Sequence, residues 1–234
     1  MKTHIAIMQP YVFPYIGYFQ LISAVDVFIF YNDVNFIKKG WINRNRILVN
    51  EKDFLFTIPC SGISQNKTIC NTKLAFDHLE KRKLLETIVQ AYKKAPFFDS
   101  VYPLVEAIIL EEHHFIDQLA ISSVKQISNF LKLKVICKES RNCYDNEALR
   151  KADRLIDICQ KEKISNYINA LGGTKIYNKE YFYDRCIELN FLKPHPVVYK
   201  QFNNDFVPWL SIIDVLMFNN IDQVTDYLNS YELL

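Results

Sequence analysis

Residues 31–47, YNDVNFIKKGWINRNRI, crowd Asp33, Asn35, Lys38, Lys39, Trp41, Asn43, Arg44, Asn45 and Arg46 into one short stretch. The mixture suits an anionic, hydrogen-bonding ligand. Guanidinium groups pair with phosphate, amides with hydroxyls, and an indole offers a flat face to a ring or a cation. A solvated basic hairpin would account for the charge, but less easily for Asn-Arg-Asn-Arg beside a tryptophan. Asp33 directly follows an apolar run and is the candidate general base.

A second set sits upstream in MQPYVFPYIGYF (8–19). Tyr11, Tyr15 and Tyr18 supply ring surfaces, Gln9 an amide, and Gly17 a place where a backbone can come close to a phosphate. A third is Leu171-Gly172-Gly173-Thr174-Lys175, where successive backbone N–H groups and a hydroxyl can cradle an anion. It lacks the G-x-x-x-x-G-K-[ST] spacing of a P-loop. Ser211 and Asp214 stand three apart after Pro208-Trp209. They read first as a helix cap and second as a substrate-holding pair. His4 opens the first apolar run next to the site, and His195 also flanks a strand end, so either could reach it; His113 and His114 lie in a helical, charged stretch, and His78 and His195 have no evident partner. Cys60, followed by Ser61-Gly62, is the only candidate thiol nucleophile. No Ser-His-Asp set emerges from spacing, and no Cys/His cluster has metal spacing.

These residues need a scaffold. HIAIM (4–8) and VFIFY (27–31) are short buried strands flanking a helical stretch, which is a βαβ unit and a parallel pair. The first set of rings therefore occupies the first βα turn, beyond the carboxyl end of a strand, where open α/β sheets bind ligands. RILV (46–49) and FLFTIP (54–59), joined by NEKD, read as an antiparallel hairpin. KTICNTKLAF (67–76) reads as a further strand, and 78–95 as a helix ended by Pro96. KVIC (134–137) is a buried strand. Residues 146–163 form an amphipathic helix with Asn146 as its cap. SNYINA is a strand leading into the glycine pair, and YFYDRCIELNFL a helix and a strand. LSIIDVLMFNN and DQVTDYLNSYELL close the chain as two helices. The expected fold is α/β: a parallel-sheet, Rossmann-like core with an antiparallel hairpin insertion and a helix-rich remainder. It is read as one domain over 1–234, with a possible helix-rich subdomain at about 77–132.

Composition fits that reading. Half of the 234 residues are hydrophobic, enough for a large core. The net charge of +2 argues against a strong DNA surface and disfavours tRNA. Average glycine usage is about 7%, so a chain with 5 glycines spends each where the backbone needs it. No apolar run reaches membrane-spanning length, and no secretory leader is read before Pro10. The six cysteines read as small core residues of a reducing cytoplasm.

Two resemblances add to this. Tyr15-Ile16-Gly17-Tyr18 resembles the H-x-G-H signature that nucleotidyltransferases carry in their first βα turn, with both histidines replaced by tyrosine. That implies a nucleotidyltransferase-like turn without its phosphate-facing imidazoles. The longer run from Met8 to Ile47, with YINALGGTKIYNKEYF and QFNNDFVPWLSIIDVLMFN, is similar to the WbqC-like family over essentially the whole chain. Members commonly carry two acidic residues in the segment matching Tyr31-Asn32-Asp33-Val34; here the first is Asn32. The resemblance implies a role in bacterial surface-polysaccharide (O-antigen) assembly. The expected substrate is a nucleotide-linked amino sugar, and the expected reaction adds an acyl or aminoacyl group, such as glycine, to its amine. A thioester, an acyl-adenylate or an aminoacyl-tRNA would each serve as donor, and no cofactor is identified. A non-catalytic nucleotide-sugar binding protein and a nucleotidyltransferase-like enzyme stand as alternatives.

Overall fold

The computed structural model describes residues 2–203 and 205–234. Its centre is a six-stranded sheet. Strands β1 (His4–Met8), β2 (Val27–Phe30), β7 (Ile136–Glu139), β8 (Asn166–Ala170) and β9 (Glu188–Pro194) run parallel, and β10 (Tyr231–Leu233) pairs antiparallel with β9. Across the sheet the order is β10-β9-β8-β1-β2-β7. The chain winds outward from β1 in one direction, then returns to build the other half from β8. That is the doubly wound, Rossmann-like order, and its topological switch point lies between β1 and β8.

Alternation along the strands explains the layers. Ile5 and Ile7 of β1, Val27 and Ile29 of β2, and Leu189 and Phe191 of β9 enter one apolar cluster, with Leu155, Ile158 and Cys159 of α5 (Lys151–Lys161) and Phe182 of α6 (Lys179–Tyr183). Ala6, Phe28, Phe30, Ile168 and Leu192 face the opposite way. They meet α1 (Ile16–Ser23), α4 (Ile116–Phe130), α7 (Ile212–Phe218) and α8 (Ile221–Leu228). Period-two strands buried on both faces produce this three-layer packing. Helices α2 (His78–Tyr92) and α3 (Phe98–Leu110) extend the second cluster.

The hairpin is β3 (Arg44–Val49) and β4 (Lys52–Thr57). Asn50 and Glu51 both adopt left-handed backbone, φ 49° and 64°. That is the mirror-image turn whose twist suits a two-residue hairpin.

Several expectations need correcting. Residues 67–76 do not form one strand. Ile69–Asn71 is a short 3-10 turn, and only Lys73–Leu74 (β6) pairs, with Cys60–Ser61 (β5). The second expected C-terminal helix stops at Leu228, and Tyr231–Leu233 turns back to extend the sheet as β10. The helix expected from Asn146 begins at Lys151, because Asn146 has other partners: its Oδ1 accepts from Arg154 Nε at 2.9 Å and its amide donates to Asp157 at 2.6 Å. β7 is an edge strand, with Ile136 exposed.

Lys81 is buried, yet its Nζ finds three acceptors: the carbonyls of Leu110 and Glu111 and the Glu112 carboxylate, at 3.2, 3.1 and 2.9 Å. A cation there satisfies the open carbonyl end of α3 and opposes its dipole. Replacing Lys81 with Met keeps the apolar stem and leaves those carbonyls unpaired. The expected loss is about 2 kcal/mol, read as a lower urea midpoint at unchanged slope.

Candidate functional site

The first βα turn is held from several directions at one residue. Phe13 is fully buried with left-handed φ of 43°, a conformation that bulky side chains rarely adopt. Its N–H donates to Ser123 Oγ of α4 at 3.1 Å. Its carbonyl accepts from Asn45 Nδ2 of β3 at 2.6 Å and from Ser211 Oγ at 2.7 Å. On either side, Val12 N–H donates to the Ile42 carbonyl and Ile212 N–H to that of Pro14. Ser211 is also the N-cap of α7, its Oγ accepting from Ile213 N–H at 3.2 Å. The cap expected from Ser211 thus exists, and the same hydroxyl locks the turn.

The locked turn forms part of the wall of a cleft of about 420 Å3. Its lining is Met8, Tyr11, Pro14, Tyr15, Tyr18, Trp41, Asn45, Ala170, Gly172 and Trp209. Met8 ends β1 and Ala170 ends β8, so the cleft opens at the switch point. Aromatic contacts set the ring angles: Tyr11 to Tyr18 at 5.6 Å and 45°, Tyr15 to Trp209 at 6.0 Å and 62°. Tyr18 is further fixed by donating its hydroxyl to the Gln9 carbonyl at 2.9 Å. Burial pushes the Tyr11 phenol up to about 12 and raises Tyr15 and Tyr18 as well. All three are neutral rings at physiological pH rather than phenolate bases.

Arg44 and Arg46 lie over the Trp41 ring, at 5.6 and 5.4 Å from its centroid. Alternation on β3 sends them to the hairpin's outer side while Asn45 points into the turn. Arg44 is steadied by the carbonyls of Gly40 and Lys39, and Arg46 by Asp53. Lys38 and Lys39 are exposed on the preceding loop.

Other expected residues are placed differently. Asn43 donates to the Ile58 carbonyl and Asn35 bridges to Thr68, both outside the cleft lining. The space over Gly17 is filled by the Tyr15 ring: a Cβ there would lie 2.3 Å from Tyr15 Cε2. The glycine thus seats a ring, leaving no open approach for a phosphate. Gly172 has nothing within 4 Å of its missing Cβ and faces the cleft, whereas a Cβ on Gly173 would meet Asn169 at 2.9 Å. Thr174 Oγ1 donates to the Leu171 carbonyl, completing the short 3-10 turn. Asp214 is fully buried and accepts from Tyr92, Tyr199 and Gln201 at 2.8, 2.6 and 2.7 Å. It anchors the 199–210 loop that carries Trp209. His4 needs correction: it stands at the amino end of β1 beside Asp26. Four residue steps of strand, at about 3.3 Å each, take the chain from it to Met8. Cys60 lies outside the cleft lining, and burial pushes its thiol up to about 12.

Asp33 lies at the carboxyl end of β2, outside the cleft lining, in a polar cluster whose remaining members distant segments supply. Its two oxygens accept from Arg154 at 2.6 Å and Ser140 at 2.5 Å. Arg154 in turn lies 4.9 Å over Tyr31. Asn32 next door donates to Asp117 and Glu139, at 3.0 and 3.1 Å. The cluster spans β2, β7, α4 and α5, so spacing could not reveal it; Trp209 in the VPWL run was the legible clue to the cleft's far wall. Among the described residues no group of three or more His, Cys, Asp or Glu is placed to hold a metal ion, and no helix is long and apolar enough to cross a membrane.

The protein is an open, doubly wound α/β fold with a ring-lined cleft at its switch point, the position where such sheets take ligands. The chain belongs to the WbqC-like protein family, which matches residues 9–226. It is 28% identical over 230 residues to the uncharacterized protein Rv1507c of Mycobacterium tuberculosis, covering 96% of both chains. No solved structure matches it significantly.

Asp117 gives a test of the polar cluster. Burial raises its pKa, and its Oδ1 has no hydrogen-bond partner among the described residues. A carboxyl whose folded pKa is raised binds its proton more tightly when folded. Stability therefore falls as pH rises from the ordinary value of 3.8 through the folded value. Asp214, also raised by burial, acts in the same direction. An Asp117→Asn variant should gain on the wild type as pH rises across that window, measured by urea denaturation at a series of pH values.

Proposed function

We propose that this chain acts in bacterial surface-glycan biosynthesis and binds a nucleotide-linked amino sugar in the switch-point cleft. The observation that carries the reading is the cleft itself. Rings of Tyr11, Tyr15, Tyr18, Trp41 and Trp209 converge on one opening, with Gly172 leaving its floor clear. Flat rings at several angles suit a base and a sugar. Arg44 and Arg46 beside Trp41 give the rim its positive charge for a pyrophosphate. Family membership supports the glycan context, since the resemblance implies surface-polysaccharide assembly.

The reaction proposed is transfer of an acyl or aminoacyl group to the sugar amine. The neutral amine attacks the donor carbonyl, a C–N bond forms, the bond to the donor's leaving group breaks, and the amine proton is lost. Asp33, expected as the general base, lies outside the cleft lining. Both of its oxygens are engaged, by Arg154 and Ser140, so it anchors the guanidinium. A protein of the bacterial cytoplasm fits such a substrate.

A second reading is a binding protein that presents the nucleotide sugar to a partner enzyme. It is favoured by the same pairing of Asp33 and by the absence of any histidine from the cleft lining.

Substituting Gly172 with Trp should fill the cleft without disturbing the fold, because a Cβ there meets nothing within 4 Å and the position lines the cleft. Titration calorimetry with a UDP-linked amino sugar should show binding to the wild type. In the variant the affinity should fall by about a hundredfold or more, because a filled pocket cannot bury the ligand, with an unchanged thermal midpoint. Equal affinity in both proteins would place the ligand elsewhere. Mass spectrometry after adding an acyl thioester separates the two readings: a heavier sugar product supports transfer, and binding without product supports presentation.

A further inference from the structure

Behind the Tyr15–Trp209 pair lies a second cavity, of about 240 Å3. Both rings belong to its wall and to the wall of the switch-point cleft, so a single edge-to-face pair separates the two spaces. Most of the rest of the wall is apolar, with Val198, Phe206 and Val215 among its members; His195 and Tyr199 are its polar side chains, and the Tyr199 hydroxyl is taken up by Asp214. Pro194, Pro196 and Pro208 also line it, and they bring no backbone N–H. Among the described residues no Lys, Arg, Asp or Glu lines it, and His195 is its one imidazole. Water needs two to four polar partners to settle in such a space, and this wall offers few. An aliphatic group would replace poorly bonded water.

Two features look arranged around the partition. Gly17 is side-chain-free where the Tyr15 ring folds back. Trp209, 69% exposed, holds a left-handed φ of 62°. Strained backbone at a bulky residue is characteristic of ligand clamps. The loop carrying that strain is anchored from beneath by Gln201 and Tyr199 on Asp214.

We propose that this cavity is an aliphatic subsite that takes a short, uncharged acyl chain, with the chain's carbonyl end passing the Trp209 ring toward the switch-point cleft. At roughly 30 Å3 for each water-sized group, it holds no more than about eight non-hydrogen atoms. Assigning that chain to the group donated onto the sugar amine rests on the function proposed above. The binding of an aliphatic chain does not.

Trp41 and Trp209 are the only tryptophans, so a Trp41→Phe protein reports on Trp209 alone. Titrated with N-methylpentanamide, its emission should shift to shorter wavelength and saturate, whereas N-methylacetamide should give no saturable change. Adding Val198→Glu places a charge on the wall at a position already 67% exposed, and should weaken the response by about tenfold or more. Val198→Leu, the folding control, should retain it. A linear, unsaturable response, or equal affinity in the Val198→Glu protein, would overturn the subsite. A UDP-linked amino sugar is titrated into the wild-type protein in parallel. Sugar binding without amide binding removes the subsite and spares the function; amide binding without sugar binding does the reverse.

Discussion

The backbone of Phe13 is the constraint on which the site depends. A buried residue with left-handed φ persists only where its surroundings over-determine it. Here three side chains do so: Ser123 from α4, Asn45 from β3 and Ser211 at the start of α7. They come from segments far apart in sequence, and each would otherwise bury a polar group without need. Satisfied together, they leave neither the N–H nor the carbonyl of Phe13 unpaired in the core. The same bonds fix where the hairpin, the helix layer and the C-terminal helix meet the carboxyl end of β1. Tyr11, Tyr15 and Tyr18 take their positions from that turn, Trp41 from the hairpin, and Trp209 from the loop leading into Ser211.

A second buried group continues the same tie. Tyr92 accepts from Leu48 N–H and donates to Asp214, at 2.8 Å in each case. Asp214 then gathers Tyr199 and Gln201. The hairpin is thus held twice, to the first βα turn through Asn45 and to α2 through Leu48. The loop bearing Trp209 is held to the same carboxylate. Ring positions in both cavities therefore follow from polar contacts in the core, which are directional, as well as from apolar packing, which is not. A cleft built this way is largely pre-formed, and less of a ligand's binding energy goes into ordering side chains.

Much of this was legible in the sequence, and the remainder failed for identifiable reasons. Short apolar runs gave β1, β2, β8 and β9 because buried parallel strands read as continuous hydrophobic segments. The first βα turn followed from them, and with it Tyr11, Tyr15 and Tyr18 on the cleft wall. Asn45 and Ser211 were picked out for ligand contact or capping, yet their main bonds go to Phe13; local spacing carries no information about a partner more than thirty residues away. Gly17 was correctly marked as special, but for a phosphate instead of for the Tyr15 ring. His4 was placed near the site because it is close in sequence to the turn, although a strand separates the two ends of the sheet. β10 was missed because NSYELL continues the polarity of the preceding helix, and only the open edge of β9 gives it a partner. Arg154 and Asp117 were unreadable, since they meet Asp33 and Asn32 solely through the crossover of two helices.

The most direct measurement of the account is a nitrogen-15 NMR titration with a UDP-linked amino sugar, following the two indole N–H signals and the Gly172 amide. If the sugar binds in the switch-point cleft, Trp41, Trp209 and Gly172 shift together and saturate at one affinity, while the amides around Arg150 and Tyr181, in the open polar depression beside α5 and α6, stay in place. Shifts confined to that depression, with both indoles unmoved, would contradict it.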